Sequence, residues 1–186
     1  RRDCHKGGIV GANVGANKDS EDPAQDYVTG LEALAGLADY FVINISSPNT
    51  PGLRKLQGRQ AHDDLLSRVD AVKPEGAPLF VKIAPDLTSD ERGDIAEIVL
   101  AHRIDGLIVS NTTVAGRETL ASRHGVEAGG LSGQPLFGHS TDILADMYRL
   151  TGGKLPLIGV GGVASGQQAY EKIRAGASLV QLYSAL

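Results

Sequence analysis

The segment Asn44-Ile45-Ser46-Ser47-Pro48-Asn49-Thr50-Pro51-Gly52 leaves an apolar run with a dense set of amide and hydroxyl side chains, on a path stiffened by two prolines. Carboxamides offer a donor and an acceptor together, which suits a planar ligand with amide edges. The same residue types also build Asx and Ser turns that only hold a loop, and both readings stay open. Lys82 follows Phe80-Val81 and precedes Ile83-Ala84-Pro85 in an otherwise apolar run. An ammonium there is costly to desolvate unless it meets a charge, so it points to a bound anionic group or cofactor, or to an ion pair with Asp86 or Asp105. Ser110-Asn111-Thr112-Thr113 repeats the first arrangement after Leu107-Ile108-Val109. Two such exits favour a shared polar pocket.

Two glycine-rich loops complete the candidates: Gly129-Gly130-Leu131-Ser132-Gly133 and Gly159-Val160-Gly161-Gly162-Val163-Ala164-Ser165-Gly166. Glycines let backbone N–H groups approach an anion, and the second loop runs into a helix N-terminus, where phosphate is well placed. Simple tight turns are the plainer reading. Gly159, Gly161 and Ala164 also match a loose dinucleotide fingerprint, but that motif needs an acidic residue about 20 positions onward, where the chain has Tyr183-Ser184-Ala185. A mononucleotide phosphate between the last two strand-to-helix loops fits better.

Elements that could position these residues alternate along the chain. Strands are expected at 8–14, 40–45, 79–84, 106–110, 155–160 and 178–183, several of them apolar on both faces, as in a parallel sheet covered on each side. Between them lie helical patterns. Asp22 and Pro23 open the first, whose stripe is Tyr27, Leu31, Leu34 and Leu37. Leu65, Leu66 and Val69 mark the second. Thr88 and Glu91 fit a capping box before Ile95, Ile98 and Val99. Ser140 is expected to cap a helix carrying Ile143, Leu144 and Met147, and Ser165 one that ends before Gly176. Strict alternation implies right-handed crossovers and a parallel sheet, open or closed into a barrel, with function at the strand C-termini.

Composition narrows the classes. The chain has 186 residues, 18 Lys plus Arg against 22 Asp plus Glu, a net charge of −4 and 41% hydrophobic residues, which suits one folded domain. Glycine, at 24 residues, is well above the ordinary share of about 7%. A single cysteine, Cys4, and five scattered histidines lack metal-ligand spacing, so no metal site is expected. Acidic balance and 4% aromatics argue against a nucleic-acid binder. No apolar run approaches the roughly 20 residues of a membrane-spanning helix, and no signal peptide is expected. His62, His102 and His139 are expected to be surface or capping residues, and Tyr27 and Met147 core.

These segments coincide, in order, with one family. With Leu53-Arg54 after Gly52, then Val81-Lys82-Ile83-Ala84-Pro85-Asp86-Leu87-Thr88, Ser110-Asn111-Thr112-Thr113, Gly129-Gly130-Leu131-Ser132-Gly133, and Gly161-Gly162-Val163 through Ala175-Gly176-Ala177-Ser178-Leu179-Val180-Gln181-Leu182-Tyr183, the chain resembles class 2 dihydroorotate dehydrogenase from Gly8 onward. The resemblance implies an α/β fold, a (β/α)8 TIM barrel present as an incomplete barrel of six parallel strands, the third to the eighth. It implies FMN-dependent oxidation of (S)-dihydroorotate to orotate in pyrimidine synthesis, with electrons passed to a membrane quinone and hydride from C6 delivered to flavin N5. Ser47 matches the base that removes the C5 proton; class 1 enzymes carry cysteine there. A serine hydroxyl needs an ordered water or relay to act so.

Asn44, Asn49, Asn111 and Thr112 match the residues that hold the pyrimidine amide edges and carboxylate. Asn13, Asn44, Lys82, Ser110, Gly133, Gly162, Tyr183 and Ser184 match the FMN contacts, with Lys82 facing the flavin N1 and C2 carbonyl and backbone amides near Gly162, Tyr183 and Ser184 receiving the phosphate. Ser110 and Ser184 stand where many relatives carry threonine, and Gln134 where a basic residue is common. No metal is implied. The intact protein is expected to carry residues before Arg1 and after Leu186, and to lie peripherally on the cytoplasmic face of a bacterial inner membrane or on the mitochondrial inner membrane. Two competing readings are a non-catalytic phosphate- or FMN-binding barrel fragment and a phosphosugar isomerase or synthase barrel, the latter leaving Asn44, Asn49 and Asn111 without a role.

Overall fold

The computed structural model describes residues 8–50, 52–122, 125 and 127–185; Cys4, Pro51 and His124 lie outside them. Six parallel strands, β1 (Gly11–Val14), β2 (Tyr40–Asn44), β3 (Leu79–Ile83), β4 (Gly106–Val109), β5 (Leu157–Val160) and β6 (Leu179–Gln181), form one sheet in the order of the chain. Each lies within its expected span. Five helices connect them: α1 (Pro23–Leu34), α2 (Arg59–Val72), α3 (Ser89–Ala101), α4 (Phe137–Leu150) and α5 (Gly166–Arg174). A doubly wound sheet would reverse its order at a switch point. This one never does, so the sheet is an incomplete (β/α)8 barrel whose outer strands, β1 and β6, have no partner on their outer edges among the described residues.

The two faces of the sheet bury different things. Phe41, Ile43, Leu79, Val81, Ile83, Leu107, Val109 and Leu157 face the helices and join Tyr27, Leu31, Leu65, Leu66, Val69, Ile95 and Met147 in the main core. Each such side chain contributes roughly 1.5–3 kcal/mol by leaving water. The alternate residues form a smaller lumenal cluster of Val42, Ile108 and Ile158, backed by Tyr40, Phe80 and Val160. Tyr40 and Phe80 meet edge to face, their centroids 5.8 Å apart at 84°. Pairing carries the lumenal row upward: Asn44 lies beside Lys82, Lys82 beside Ile108, and Val160 beside Gln181.

Local signals set most helix starts. Asp22 Oδ1 accepts from Gln25 N, the Thr88–Glu91 capping box closes in both directions, and Ser165 Oγ accepts from Gln168 N. Three expectations need correction. Ser140 does not cap α4, which starts three residues earlier: Gly133 (φ 78°) and Pro135 set up a tight turn over Gln134–Leu136 that runs straight into the helix, leaving Ser140 buried inside it. Leu34 and Leu37 are not part of the buried stripe, being 36% and 51% exposed, because α1 stops at Leu34 and Gly36 (φ 75°) turns the chain away.

His62 is the third. It is fully buried on α2, and neither ring nitrogen has a hydrogen-bond partner among the described residues. Burial, aided by nearby His102, pushes its pKa down to about 4. His102 itself is largely buried at the end of α3, bridging Asp70 (2.8 Å) and Asp63 (3.0 Å) on α2. Burial works against its charge, but these two carboxylates outweigh it and raise its pKa. The linkage signs are opposite. His102 supports the fold fully below its unfolded pKa, and that support fades as pH rises through the folded value; His62 withholds a proton that the unfolded chain accepts, so stability drops as pH falls from about 6.5 toward 4. That drop is expected to be about 3 kcal/mol, and His62→Leu should flatten it in urea unfolding measured across this range. Parallel pH profiles for the two proteins would contradict the assignment.

Candidate functional site

All six strands end on one rim, and the loops that leave it carry the polar segments. A cavity of about 360 Å³, within the range of small-molecule sites, opens there between the ends of β3, β4, β5 and β6 and the loop before α4. Eight of the sequence candidates line it: Lys82, Ser110, Asn111, Thr112, Gly133, Gly162, Tyr183 and Ser184. Gln134, Ala164 and Gln181 also line it. Tyr183 is 85% exposed.

Asn44 reaches this wall through its neighbour, since Asn111 Nδ2 donates to Ser46 Oγ (3.0 Å) and to Asn44 Oδ1 (3.4 Å). Asn44 Oδ1 also accepts from Ser46 N and Oγ, and Thr112 N donates to Asn111 Oδ1. The Asx turn is therefore real, yet it uses only the Asn44 oxygen; the amide nitrogen has no partner among the described residues. Ser47 and Asn49 sit on the adjoining loop outside the cavity lining, tied by Asn49 N donating to Ser47 Oγ at 3.2 Å. Asn13 lies apart from the cavity, exposed on the edge strand β1 beside Val42.

Lys82 meets neither proposed counterion. Asp86 is taken by Arg54 and Thr113, and Asp105 by Lys73 and the Leu79 amide. Among the described residues no hydrogen bond or ion pair reaches the Lys82 ammonium, and burial alone lowers its pKa. A half-buried cation on a cavity wall with no protein anion is the strongest sign of a ligand here.

Sequence reasoning gave Arg54 no role of its own and considered Asp86 only as a counterion for Lys82. The Arg54 guanidinium donates to Ser46 O (3.1 Å), Asp86 Oδ2 (2.7 Å) and Thr112 O (3.0 Å), one group on each of the loops after β2, β3 and β4. Burial alone would raise the Asp86 pKa, but hydrogen bonds from Thr113, the Val114 amide and Arg54 hold it below the usual carboxylate range. The glycine loop then folds over this wall: Thr113 and Leu131 form a short antiparallel bridge, and a side chain at Gly130 would overlap Thr112 Oγ1. On the far side Gln134 Nε2 donates to Gly162 O (2.8 Å), and Ala164 N donates to Gln168 Oε1 (2.8 Å). Among the described residues no group of three or more His, Cys, Asp or Glu is placed to hold a metal ion, and no helix is long and apolar enough to cross a membrane.

The family model described as Dihydroorotate dehydrogenase matches residues 2–186. A protein named dihydroorotate dehydrogenase (quinone) from Parvibaculum lavamentivorans is 59% identical over 96% of this chain and 51% of its own length. A mitochondrial protein of the same name from rice, Oryza sativa subsp. japonica, is 57% identical over 96% of this chain and 40% of its own. A DHODH crystal structure from Eimeria tenella, in complex with ferulenol, superposes with a TM-score of 0.90 at 41% identity, covering 95% of this chain and 53% of that one. The chain thus spans about half the length of the relatives it matches. Arg54→Met is expected to cost about 2 kcal/mol, the scale of hydrogen bonds made by a charged group, and to expose the 44–52 loop to limited proteolysis. An unchanged melting curve and cleavage pattern would show that the three contacts hold nothing in place.

Proposed function

The chain belongs to the dihydroorotate dehydrogenase family, and from that premise we propose that it forms the FMN- and substrate-holding rim of an enzyme that oxidises (S)-dihydroorotate to orotate in pyrimidine synthesis, with a membrane quinone as final electron acceptor. The observation that carries this reading is the unpartnered Lys82 ammonium on the cavity wall, beside a carboxamide pair, Asn44 and Asn111, that keeps an amide N–H₂ free. A cation seeking an electron-rich partner and a row of amide groups are what a flavin and a pyrimidine dione require of a wall. A bound flavin supplies the two-electron acceptor. Lys82 places positive charge where that acceptor gains negative charge, and in a partly buried wall such a charge acts strongly.

Ser47 removes the C5 proton of dihydroorotate through a water or hydroxyl relay, since the hydroxyl alone is too weak a base at neutral pH. Its oxygen already accepts from Asn49 N, which fixes its orientation and ties the base to a substrate-holding residue. Asn44, Asn49, Asn111 and Thr112 hold the pyrimidine amide edges and carboxylate. Ser110 and Gly133 wall the flavin, and the loop at Gly162 with Tyr183 and Ser184 receives its phosphate end. Asn13, on the lumenal side of the neighbouring strand, completes the flavin contacts. Quinone access puts the intact protein at the periphery of a bacterial inner membrane, on its cytoplasmic face, or of the mitochondrial inner membrane.

The intact protein should show flavin absorbance that dihydroorotate bleaches; bound flavin without bleaching would favour a non-catalytic binding barrel. Ser47→Ala should slow that bleaching by about 10²–10⁴-fold, the usual contribution of a positioned base, with flavin still bound. Unchanged kinetics would remove Ser47 from the reaction. Lys82→Ala should lose flavin on gel filtration, and a fully flavinated, fully active variant would contradict its role.

A further inference from the structure

Behind the second glycine loop lies a charge that none of the residues above accounts for. Lys172, on α5, is completely buried. Its ammonium donates to Ser140 Oγ at 2.6 Å and sits 5.1 Å from the centroid of the Phe137 ring. Ser140 Oγ lies 3.1 Å from both Gly161 O and Phe137 O. The chain of contacts therefore runs from a buried cation, through one hydroxyl, to the backbone of a residue that lines the cavity. The stem packs where Gly159 of β5, Ala177 and Leu144 of α4 meet. No carboxylate forms an ion pair with it among the described residues; Asp142 is the charged neighbour, too weak to offset burial, which brings the pKa down to about 8.

Such an ammonium has three donors and one hydroxyl acceptor, which is an expensive arrangement unless an anion comes close. In the loop beside it Ala164 N is already given to Gln168, and Gly161 (φ 111°) is pinned against Ser140, whose Oγ would lie 2.8 Å from a side chain there, so the loop's position is tied to the buried charge. We propose that Lys172 is a positioning charge for the phosphate end of the flavin, acting through Ser140 and the Gly161–Gly162 loop without touching the ligand. It rests on the flavin reading above and adds a selectivity: the charge favours a phosphorylated flavin over one without phosphate, because attraction from a fully buried charge is less screened than from a surface one.

The test compares FMN with riboflavin on the flavin-stripped intact protein. Lys172→Met, which keeps the length of the side chain and removes its charge, should raise the Kd for FMN about tenfold, a typical coupling between neighbouring sites, and leave the Kd for riboflavin within about twofold. An equal loss for both ligands would mean that Lys172 only supports the fold, and unchanged affinities would mean that it acts on neither; each overturns the inference. A measurement without substitution keeps the question open to decision if the variant does not fold. Phosphate monoesters are dianionic at pH 8.5, so the bound dianion should draw a proton from solvent onto the Lys172 amine, and FMN binding should take up more protons than riboflavin binding, read by calorimetry in buffers of different ionisation enthalpy. Equal uptake overturns the inference; proton uptake by Lys82 is common to both ligands and cancels. Failure of both flavins to bind the unmutated protein would refute the flavin reading itself, whereas FMN selectivity that is undiminished in Lys172→Met refutes this inference alone.

Discussion

Parallel pairing in chain order is the constraint from which the site follows. When every strand runs the same way, every strand ends on the same rim, and residues in register at those ends become neighbours without any further instruction. Asn44 and Lys82 stand side by side because β2 and β3 pair as they do. A slip of one residue would turn both toward the helices. The apolar faces prevent that slip: Phe41 and Ile43 on one side, Val42 on the other, fit only one alternation.

Register brings the strand ends together but does not hold the loops that leave them, and here one guanidinium does most of the work. Arg54 spans three consecutive exits with three separate donors, so the segment carrying Ser47 and the segment carrying Thr112 share a common brace. A lysine could satisfy one of these acceptors but not the planar set. Asp86 answers from the other side and is itself fixed by Thr113 and the Val114 amide. Much of the site is thus built from groups already spent on one another, while among the described residues the Lys82 ammonium and the Asn44 amide nitrogen meet no protein partner.

Much of this could be read from the amino acids, and the limits have a physical pattern. Strands and the Thr88, Asp22 and Ser165 caps depend on neighbours within a few positions, so local order reveals them. Lys82 stood out because a charge inside an apolar run is anomalous wherever the chain folds. The role of Arg54, and its pairing with Asp86, stayed hidden because its partners lie 32 and 58 residues away and nothing local distinguishes it from a solvated charge. Lys172 is the sharpest case: between Glu171 and Ile173 it reads as one more residue of a wet helix face, and only packing against β5, Ala177 and α4 buries it. Leu34 and Ser140 misled in the opposite direction, since a good period and a good capping residue were present where a turn and an earlier helix start took precedence.

The outer edges of β1 and β6 have one more consequence. Their backbone donors and acceptors lie in rows flanked by the exposed apolar side chains of Ile9, Val10, Leu179 and Leu182. Such rows accept any extended segment of suitable register, because main-chain pairing is indifferent to which chain supplies it. For a polypeptide of these 186 residues alone, self-association would then compete with solubility, and its solution behaviour would depend on concentration more than on the quality of its core. Ring closure in a (β/α)8 barrel is in this sense a safeguard against the barrel's own strands as much as a way of shaping a site.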